Sequence, residues 1–341
     1  MARPITRLTS AVDDISDVPV FEPHPLIRGG HAQTVLGAYL PGRRFRLRSD
    51  THRVPLEDGD SVVLHDDCPL GWQPGDRVAL LMHGLGGSYR SSYMVRIAAK
   101  LADAGVRAFR MDHRGCGAGE GLARLPYNAG RSEDALAALQ TVGDICPGSP
   151  ATIVGFSLSG NIVLKLLGEA PNSVPEHLES AMAVNPAMDL PACLECIRSP
   201  SCRIYDRNFV GQLYRQVQRL QQLVDNPPSH RLAGRPRELF EFDELYTAAV
   251  CGYQGAADYY TRCSAAQFVH NIEVPTLVLA ARDDPMVPLR VFEQAAWPAA
   301  VHLHVAPGGG HLGYIARQGQ DRDRRWMDWR VVDWVVRSHS G

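Results

Sequence analysis

A serine between small residues is the first candidate for a reactive group in this chain of 341 residues. Ser157 lies in Gly155-Phe156-Ser157-Leu158-Ser159-Gly160, between an apolar stretch typical of a buried strand and a stretch with helical spacing. This is the context of a nucleophile elbow, a sharp strand-to-helix turn that lifts the serine above the edge of a sheet. Because a serine hydroxyl is a weak nucleophile, such a site also needs a base and an acid that orients the base.

Candidates for the base and the acid follow later in the chain. His311 comes after Gly308–Gly310, whose backbone freedom would let it reach the serine, and Asp284 lies in the turn after a late apolar stretch. The resulting order, serine then acid then histidine, is the one that this kind of elbow requires. We favour Asp284 as the acid, with its neighbour Asp283 and the earlier Asp189 as alternatives.

Backbone amides in two segments are candidates for an oxyanion hole, which would stabilise a tetrahedral intermediate. The segment Met82-His83-Gly84-Leu85-Gly86-Gly87 follows the first buried stretch, where such a fold needs its second donor. We therefore predict that the N–H groups of Leu85 and Leu158 form the hole. A phosphate-binding loop is excluded because no Lys-Ser or Lys-Thr follows the glycines and the G-x-G-x-x-G spacing is absent. No cofactor is expected.

Metal binding is not predicted, although some residues have suitable side chains. Cys193 and Cys196 have the spacing of metal ligands, but no second pair or nearby histidine completes a site, and two neighbours on a helix is the simpler interpretation. Two histidine pairs lack a third ligand that the sequence could place: His24 with His31, and His302 with His304.

The elements that would position these residues alternate between strand and helix, which predicts an α/β fold with a mostly parallel central sheet flanked by helices. A continuous apolar run predicts a buried strand at 78–82, and further strands are predicted at 106–111, 151–156, 181–184, 275–281 and 301–305. Helical spacing predicts helices at 92–104, 132–142, 158–169 and 324–338, with Ser132 as the N-cap of the second. Two short strands are expected between residues 43 and 65.

The alternation stops between residues 189 and 270, where helical patterns such as 210–224 occur without a clean strand. At about 150 residues per domain the length suggests two domains. We instead predict one core, residues 1–188 with 271–341, interrupted by a helical cap at 189–270 and preceded by an extension over about 1–42. An aromatic cluster in the cap would line an apolar pocket or pack the cap itself. Its members are Phe240, Phe242, Tyr246, Tyr259 and Tyr260.

Charge and composition limit the partners. The chain has 35 basic and 37 acidic residues and a formal net charge of −2, so no general positive field would hold nucleic acid. No run of 18 or more apolar residues predicts a transmembrane helix, and no signal-peptide pattern opens the sequence. We therefore expect a cytoplasmic protein whose eight cysteines are reduced thiols. The oligomeric state is left open.

Six segments in this order resemble the YheT-like branch of the α/β-hydrolase superfamily, which is related to α/β-hydrolase-domain lipases and fungal medium-chain ester synthases. The elbow departs from the family's G-F-S-L-G-G-N pattern only at Ser159, a small residue that leaves the three candidate groups intact. The matching segments are His31-Ala32-Gln33-Thr34, His83 to Ser88, Arg114-Gly115-Cys116-Gly117, Gly155 to Asn161, Phe242-Asp243 with Asp258-Tyr259-Tyr260, and Asp283-Asp284-Pro285 with Gly309 to Gly313.

This resemblance implies an α/β-hydrolase fold and a serine carboxylic-ester hydrolase. Ser157 would be the nucleophile, Asp284 the acid and His311 the base, and short- or medium-chain acyl esters would react through an acyl-enzyme. Two alternatives remain open, namely acyl transfer to an alcohol and a non-catalytic ligand-binding homologue. A serine at the elbow argues against the epoxide hydrolases and dehalogenases of this fold, which use an aspartate.

Overall fold

An eight-stranded sheet forms the centre of the computed structural model, which describes residues 18–40, 45, 47–230 and 232–337. Its strand order is β1-β2-β4-β3-β5-β6-β7-β8. The first two strands pair antiparallel with their neighbours, and all later neighbours pair in parallel, which confirms the predicted mostly parallel sheet. The strands are β1 (Asp50–Pro55), β2 (Ser61–Asp67), β3 (Val78–Met82), β4 (Arg107–Asp112), β5 (Ala151–Phe156), β6 (Leu178–Val184), β7 (Thr276–Ala281) and β8 (Val301–Ala306).

Helices cover both faces of this sheet, which is why the central strand β3 is apolar at every position. In β3, Leu80 and Met82 point into one apolar cluster, while Ala79 and Leu81 point into the other. Alternate strand residues face opposite sides, so a strand covered by helices on both sides buries apolar side chains on both. The flanking helices are α3 (Ser132–Ile145) and α4 (Leu158–Glu169) on the first face, and α2 (Ser92–Asp103) and α11 (Trp326–Val336) on the second.

The chain between β6 and β7 is helical, and its described residues contain no strand, as the sequence predicts. Much of a third apolar cluster comes from this segment. No helix in the ranges described above is long and apolar enough to cross a membrane. The helices of the segment are α5 (Leu190–Ile197), α6 (Arg203–Leu223), α7 (Leu239–Phe242), the π-helical turn Asp243–Thr247, α8 (Ala248–Cys251) and α9 (Ala256–Cys263).

Two further helices complete the fold. Helix α1 (Gly30–Tyr39) lies in the N-terminal extension, where the sequence analysis predicted no element, and α10 (Arg290–Glu293) follows the acid turn. Most predicted boundaries fall within three residues of the observed ones, but α6 begins seven residues before the predicted start at residue 210.

The predicted helix cap at Ser132 is wrong. Arg131 occupies the cap position and Ser132 is the first helical residue, with no cap bond from its side chain. The Ser132 hydroxyl instead accepts a hydrogen bond from Lys165 Nζ (3.2 Å) and donates one to Glu169 (3.1 Å). A buried ammonium group needs acceptors, and this demand takes precedence over the cap.

Candidate active site

The turn between β5 and α4 has the geometry of a nucleophile elbow. Ser157 adopts φ 55° and ψ −114°, a conformation that a non-glycine residue rarely occupies and that usually marks a functional position. A Cβ atom at Gly155 would collide with the backbone of Ser159, and one at Gly160 would collide with Pro186. The small residues of the motif therefore allow strand and helix to approach closely enough to hold the serine in this conformation.

The structure brings Ser157, His311 and Asp284 together in one hydrogen-bonded chain. His311 Nε2 lies 2.7 Å from Ser157 Oγ, and His311 Nδ1 lies 2.8 Å from Asp284 Oδ2. Side-chain exposure is 8% for His311 and 1% for Asp284. The imidazole can therefore take the serine proton through one nitrogen while the carboxylate fixes its other nitrogen as a donor.

Hydrogen bonds from three further donors orient the Asp284 carboxylate. Oδ1 accepts from the backbone N–H groups of Met286 (2.8 Å) and Val287 (3.1 Å), and Oδ2 also accepts from Asn185 Nδ2 (2.7 Å). The Asn185 side chain is fixed in turn by the Tyr314 hydroxyl, which donates to its Oδ1 at 2.8 Å. Sequence analysis missed Asn185 because it carries no motif; its left-handed φ of 45° is visible only in three dimensions.

The two alternative acids bind other groups. Asp283 Oδ1 accepts the backbone N–H of Gly310 at 2.8 Å, so this carboxylate supports the loop that carries the histidine without contacting its ring. Asp189 caps helix α5 by accepting the N–H of Ala192 at 3.0 Å.

Helix α1 holds the histidine loop from behind, a role that the sequence did not reveal. Thr34 Oγ1 accepts the backbone N–H of His311 at 2.8 Å and donates to the Gly30 carbonyl at 2.7 Å. The Gln33 amide bonds both the N–H and the carbonyl of Ile315, at 2.7 and 3.1 Å. These two residues belong to the His31-Ala32-Gln33-Thr34 segment of the family resemblance, which was the one available signal.

The two predicted oxyanion donors line the same cavity as Ser157 and His311. Leu158 is the first residue of α4, where the helix supplies no acceptor for its N–H. The Leu85 N–H has no acceptor among the described residues, although the amides on either side of it donate to the Tyr93 and Tyr127 hydroxyls. His83 Nδ1 lies 2.8 Å from the Gly84 carbonyl. Since that carbonyl shares a planar peptide with the Leu85 N–H, fixing one sets the direction of the other.

Ser159 joins the elbow to the oxyanion loop. Its hydroxyl donates to the His83 carbonyl and accepts from His113 Nε2, at 2.7 Å in the second case. Burial lowers the pKa of His83, and burial together with the nearby His83 lowers the pKa of His113 well below its ordinary value. Burial therefore favours the neutral form of both rings. A glycine, as in the family pattern, would leave these two polar groups without this partner.

An apolar cavity opens beside Ser157 and is walled largely by the helices between β6 and β7. Asp243 is one of its polar lining residues, and it accepts hydrogen bonds from the Tyr260 hydroxyl and Thr247 Oγ1, both at 2.7 Å. Burial raises the pKa of Asp243 to about 6. Of the aromatic cluster, Phe242, Tyr259 and Tyr260 line the cavity, whereas Phe240 and Tyr246 pack within the third apolar cluster. The apolar wall residues include Leu190, Leu194, Leu213, Val217 and Leu239.

The remaining cysteines and histidines form no metal cluster within the described ranges. All eight cysteines are free thiols, and Cys193 and Cys196 lie one turn apart on α5. His31 stacks on Tyr205 with ring centroids 5.7 Å apart, and its Nδ1 lies 3.0 Å from the Tyr205 hydroxyl.

Fold and site together define an α/β-hydrolase. The sequence model of the family described as alpha/beta hydrolase fold matches residues 79–318, and the chain belongs to this family. Among individual proteins it is similar to the putative esterase YheT of Escherichia coli (strain K12), with 29% identity over 332 residues and 96% of each chain covered. It is also 28% identical to a monoacylglycerol lipase of Saccharomyces cerevisiae over 272 residues, which cover 76% of this chain and 59% of the relative.

A solved structure supports the fold independently. An esterase from Pyrococcus furiosus superposes with a TM-score of 0.55 at 15% identity, over 86% of this chain and 94% of that one. These comparisons confirm the predicted YheT-like α/β-hydrolase family and the prediction that the chain is an enzyme of the esterase and lipase type.

Proposed function

We propose that this protein hydrolyses carboxylic esters with short- or medium-chain acyl groups through an acyl-enzyme at Ser157. The observation that carries this proposal is the hydrogen-bonded chain from Ser157 through His311 to Asp284, at the wall of an apolar cavity. The names of the relatives, esterase and lipase, support the same type of reaction. The near-neutral charge of the chain suits an uncharged acyl substrate.

The first half of the reaction transfers the acyl group to the enzyme. His311 Nε2 takes the proton of Ser157 as Oγ attacks the ester carbonyl carbon, and the N–H groups of Leu85 and Leu158 stabilise the oxyanion. When the carbonyl re-forms, the bond to the alcohol oxygen breaks and His311 donates its proton to that oxygen. Asp284 keeps the imidazole oriented and stabilises its positive charge.

The second half releases the acid. A water molecule in the place of the departed alcohol gives a proton to His311 and attacks the acyl carbon, and the bond to Ser157 breaks as His311 returns the proton to Oγ. If an alcohol occupies that place, the product is a new ester. Hydrolysis and acyl transfer therefore differ only in which molecule reaches the acyl-enzyme.

We further propose that residues 189–270 act as a cap that selects the acyl group, while 1–188 and 271–341 form the catalytic core. Apolar side chains of α5 and α6 contribute to the cavity walls, among them Leu190, Leu194 and Leu213. Burying each methylene of an acyl chain in such a cavity contributes about 0.8 kcal/mol. The rate constant kcat/KM should therefore rise with chain length until the cavity is full.

The decisive experiment measures p-nitrophenyl octanoate turnover for the wild type and Ser157→Ala. We expect kcat to fall by about 10⁴-fold or more, because no other hydroxyl among the described residues is hydrogen-bonded to His311 Nε2. The matched control is Ser173→Ala, since Ser173 is exposed near the opposite end of α4. Equal turnover by wild type and Ser157→Ala, or fluorophosphonate labelling at another residue, would contradict the mechanism.

The same acyl-enzyme allows the alternative reaction to be measured. Titrating ethanol into the assay and measuring ethyl octanoate against octanoic acid separates transfer from hydrolysis. Exclusive formation of acid excludes acyl transfer, and dominant ester formation at low ethanol would replace hydrolysis as the proposed reaction. An acyl panel from acetyl to dodecanoyl then measures the chain-length preference.

A further inference from the structure

A second cavity also reaches Ser157, and it lies between α1 and α6. It shares five lining residues with the apolar cavity proposed to hold the acyl group, which we call the acyl cavity: Leu85, Ser157, Phe209, Met286 and His311. Its remaining lining residues are different. The two walls are formed by Val35, Ala38 and Tyr39 of α1 and by Tyr205, Asn208 and Gln212 of α6.

This second cavity reaches the protein surface. Tyr39 on its wall is 75% exposed and Val35 is 38% exposed, and Asn208 is also exposed. In contrast, most walls of the acyl cavity are buried, including Leu158, Leu190 and Leu213. A molecule that must enter or leave during each reaction cycle therefore has its path between α1 and α6.

The catalytic cycle indicates which part of the ester would occupy each of the two cavities. His311 has to donate a proton to the alcohol oxygen, so the alcohol lies on the side of the histidine loop. Helix α1 packs directly against that loop, with Thr34 bonded to the His311 backbone. The acyl group stays on Ser157 while the alcohol leaves and water takes its place, and the apolar cavity with buried walls suits the retained group.

From this geometry, and on the basis of the proposed esterase function, we infer that the cavity between α1 and α6 is the alcohol subsite. We infer further that it favours uncharged alcohols that carry an additional hydroxyl group. This assigns to the N-terminal helix, which lies outside the matched family segment 79–318, a direct part in substrate selection.

The preference for a hydroxyl follows from two side chains on α6. Asn208 and Gln212 lie four residues apart, so they project from the same face of the helix, and both line the cavity. Neither side-chain amide has a hydrogen-bond partner within the described part of the chain. Each therefore offers a free donor and a free acceptor to a substrate hydroxyl.

The preference for an uncharged alcohol follows from the rest of the lining. Among the described residues, no aspartate, glutamate, lysine or arginine lines this cavity. His311 is present through its imidazole. The α1 wall supplies apolar contacts from Val35 and Ala38, which suit the carbon skeleton of a small polyol. A charged headgroup would find no counter-ion here and would lose hydration.

A pair of esters with one acyl group tests the inference. The esters 2-hydroxyethyl octanoate and propyl octanoate are nearly equal in size and differ by a hydroxyl in place of a methyl group. Both give the same octanoyl-enzyme, so deacylation is common to them and the ratio of their kcat/KM values reports the alcohol side alone. We expect the wild type to favour the hydroxyethyl ester by about tenfold.

Variants then separate binding from intrinsic reactivity. Asn208→Leu and Gln212→Met keep the approximate side-chain size and remove the hydrogen-bonding groups, so each should lower the ratio by about three- to tenfold. Because intrinsic leaving-group reactivity is the same in every variant, it cancels when ratios are compared. The control is Gln218→Met, an exposed residue elsewhere on α6, which should leave the ratio unchanged.

The outcomes distinguish failure of the alcohol subsite from failure of the proposed esterase function. A ratio unchanged in both Asn208→Leu and Gln212→Met overturns the alcohol subsite, even if the wild type hydrolyses both esters rapidly. A wild type that hydrolyses neither of these esters nor p-nitrophenyl octanoate overturns the proposed esterase function instead. Circular dichroism of each variant excludes misfolding as the cause of a changed ratio.

Discussion

Two adjacent aspartates bond different parts of the histidine loop, one its ring and the other its backbone. The bonded atoms decide how each aspartate would affect catalysis. Asp284 bonds the His311 ring, whereas Asp283 bonds the Gly310 backbone N–H. An acid that touches the ring controls which nitrogen carries the proton. An acid that touches the backbone controls only where the loop lies.

Replacing each aspartate by asparagine should therefore have very different effects. Asp284→Asn allows the imidazole to present the wrong tautomer to Ser157, so kcat/KM for p-nitrophenyl octanoate should fall by about 10³–10⁴-fold. Asp283→Asn keeps an oxygen that can accept the Gly310 N–H, and its activity should stay within about tenfold of wild type. The reverse order of the two variants in the same assay would make Asp283 the acid.

At the residue scale, sequence motifs located the candidate catalytic residues, but they did not locate the residues that hold these in place. Ser157, Asp284 and His311 stand in short segments whose residue types are dictated by a turn or by proton transfer. Asn185 bonds Asp284, 99 positions away in the sequence, and Thr34 bonds the His311 backbone, 277 positions away. Such partners are set by the tertiary fold, and no local pattern distinguishes them from other polar residues.

At the scale of elements, the π-helical turn Asp243–Thr247 carries a carboxyl group into the wall of the apolar cavity beside Ser157. No cation is paired with Asp243 in the parts of the chain that the structure describes, and its partners are the hydroxyls of Tyr260 and Thr247. Folding therefore removes this carboxyl from water without a compensating charge, which is why its pKa rises to about 6.

This raised pKa predicts a specific dependence of stability on pH. Between about pH 4 and 6 the unfolded chain loses this proton before the folded one does, so the contribution of Asp243 to the free energy of unfolding falls as pH rises. In Asp243→Asn that loss is absent. From pH 4 to pH 7 the variant should gain about 2–3 kcal/mol relative to wild type.

Urea unfolding of both proteins at several pH values measures this difference. Asp225→Asn is the matched control, because Asp225 is an exposed aspartate of the same inserted segment. Stability curves of Asp243→Asn and wild type that run parallel from pH 4 to pH 7 would rule out a raised pKa at Asp243.

Strands and helices could be predicted where burial imposes a regular pattern of apolar residues on the sequence. They were missed where only tertiary contacts stabilise them. The β3 run is apolar at every position because helices cover both faces of the sheet. Helix α1 buries only Gln33, Thr34 and Gly37, so it has no apolar stripe. It forms because its polar residues bond the histidine loop and because Gly37 allows close contact with Gly313.

At the scale of the whole molecule, the candidate site depends on a sheet whose neighbouring strands are distant in sequence. β6 and β7 pair in parallel, with Ala181 opposite Thr276 and Val184 opposite Leu279, although the proposed cap, residues 189–270, lies between them in the sequence. Ser157 follows β5, whereas Asp284 and His311 follow β7 and β8. The order of the elements in the sequence predicted this arrangement, because a parallel sheet places the carboxyl ends of its strands along one edge.

The cap and core boundaries that we propose can be tested by dividing the chain inside the cap. A break between Pro228 and Ser229 falls between α6 and α7, so it leaves every described strand and helix intact. The fragments 1–228 and 229–341 each retain an apolar strand edge, from β6 and β7, that is buried in the whole protein. Co-expressed fragments should therefore associate through this edge, copurify and hydrolyse p-nitrophenyl octanoate.

Neither fragment should be active by itself, because Ser157 belongs to the first while Asp284 and His311 belong to the second. A control break between Asp58 and Gly59, in the turn joining β1 to β2, leaves all three groups in the longer fragment and should not separate them. Activity from fragment 1–228 alone would refute assembly of the site across the insertion. Fragments that fold but do not associate would show that the cap is required to bring β6 and β7 together, so it would belong to the folding unit of the core.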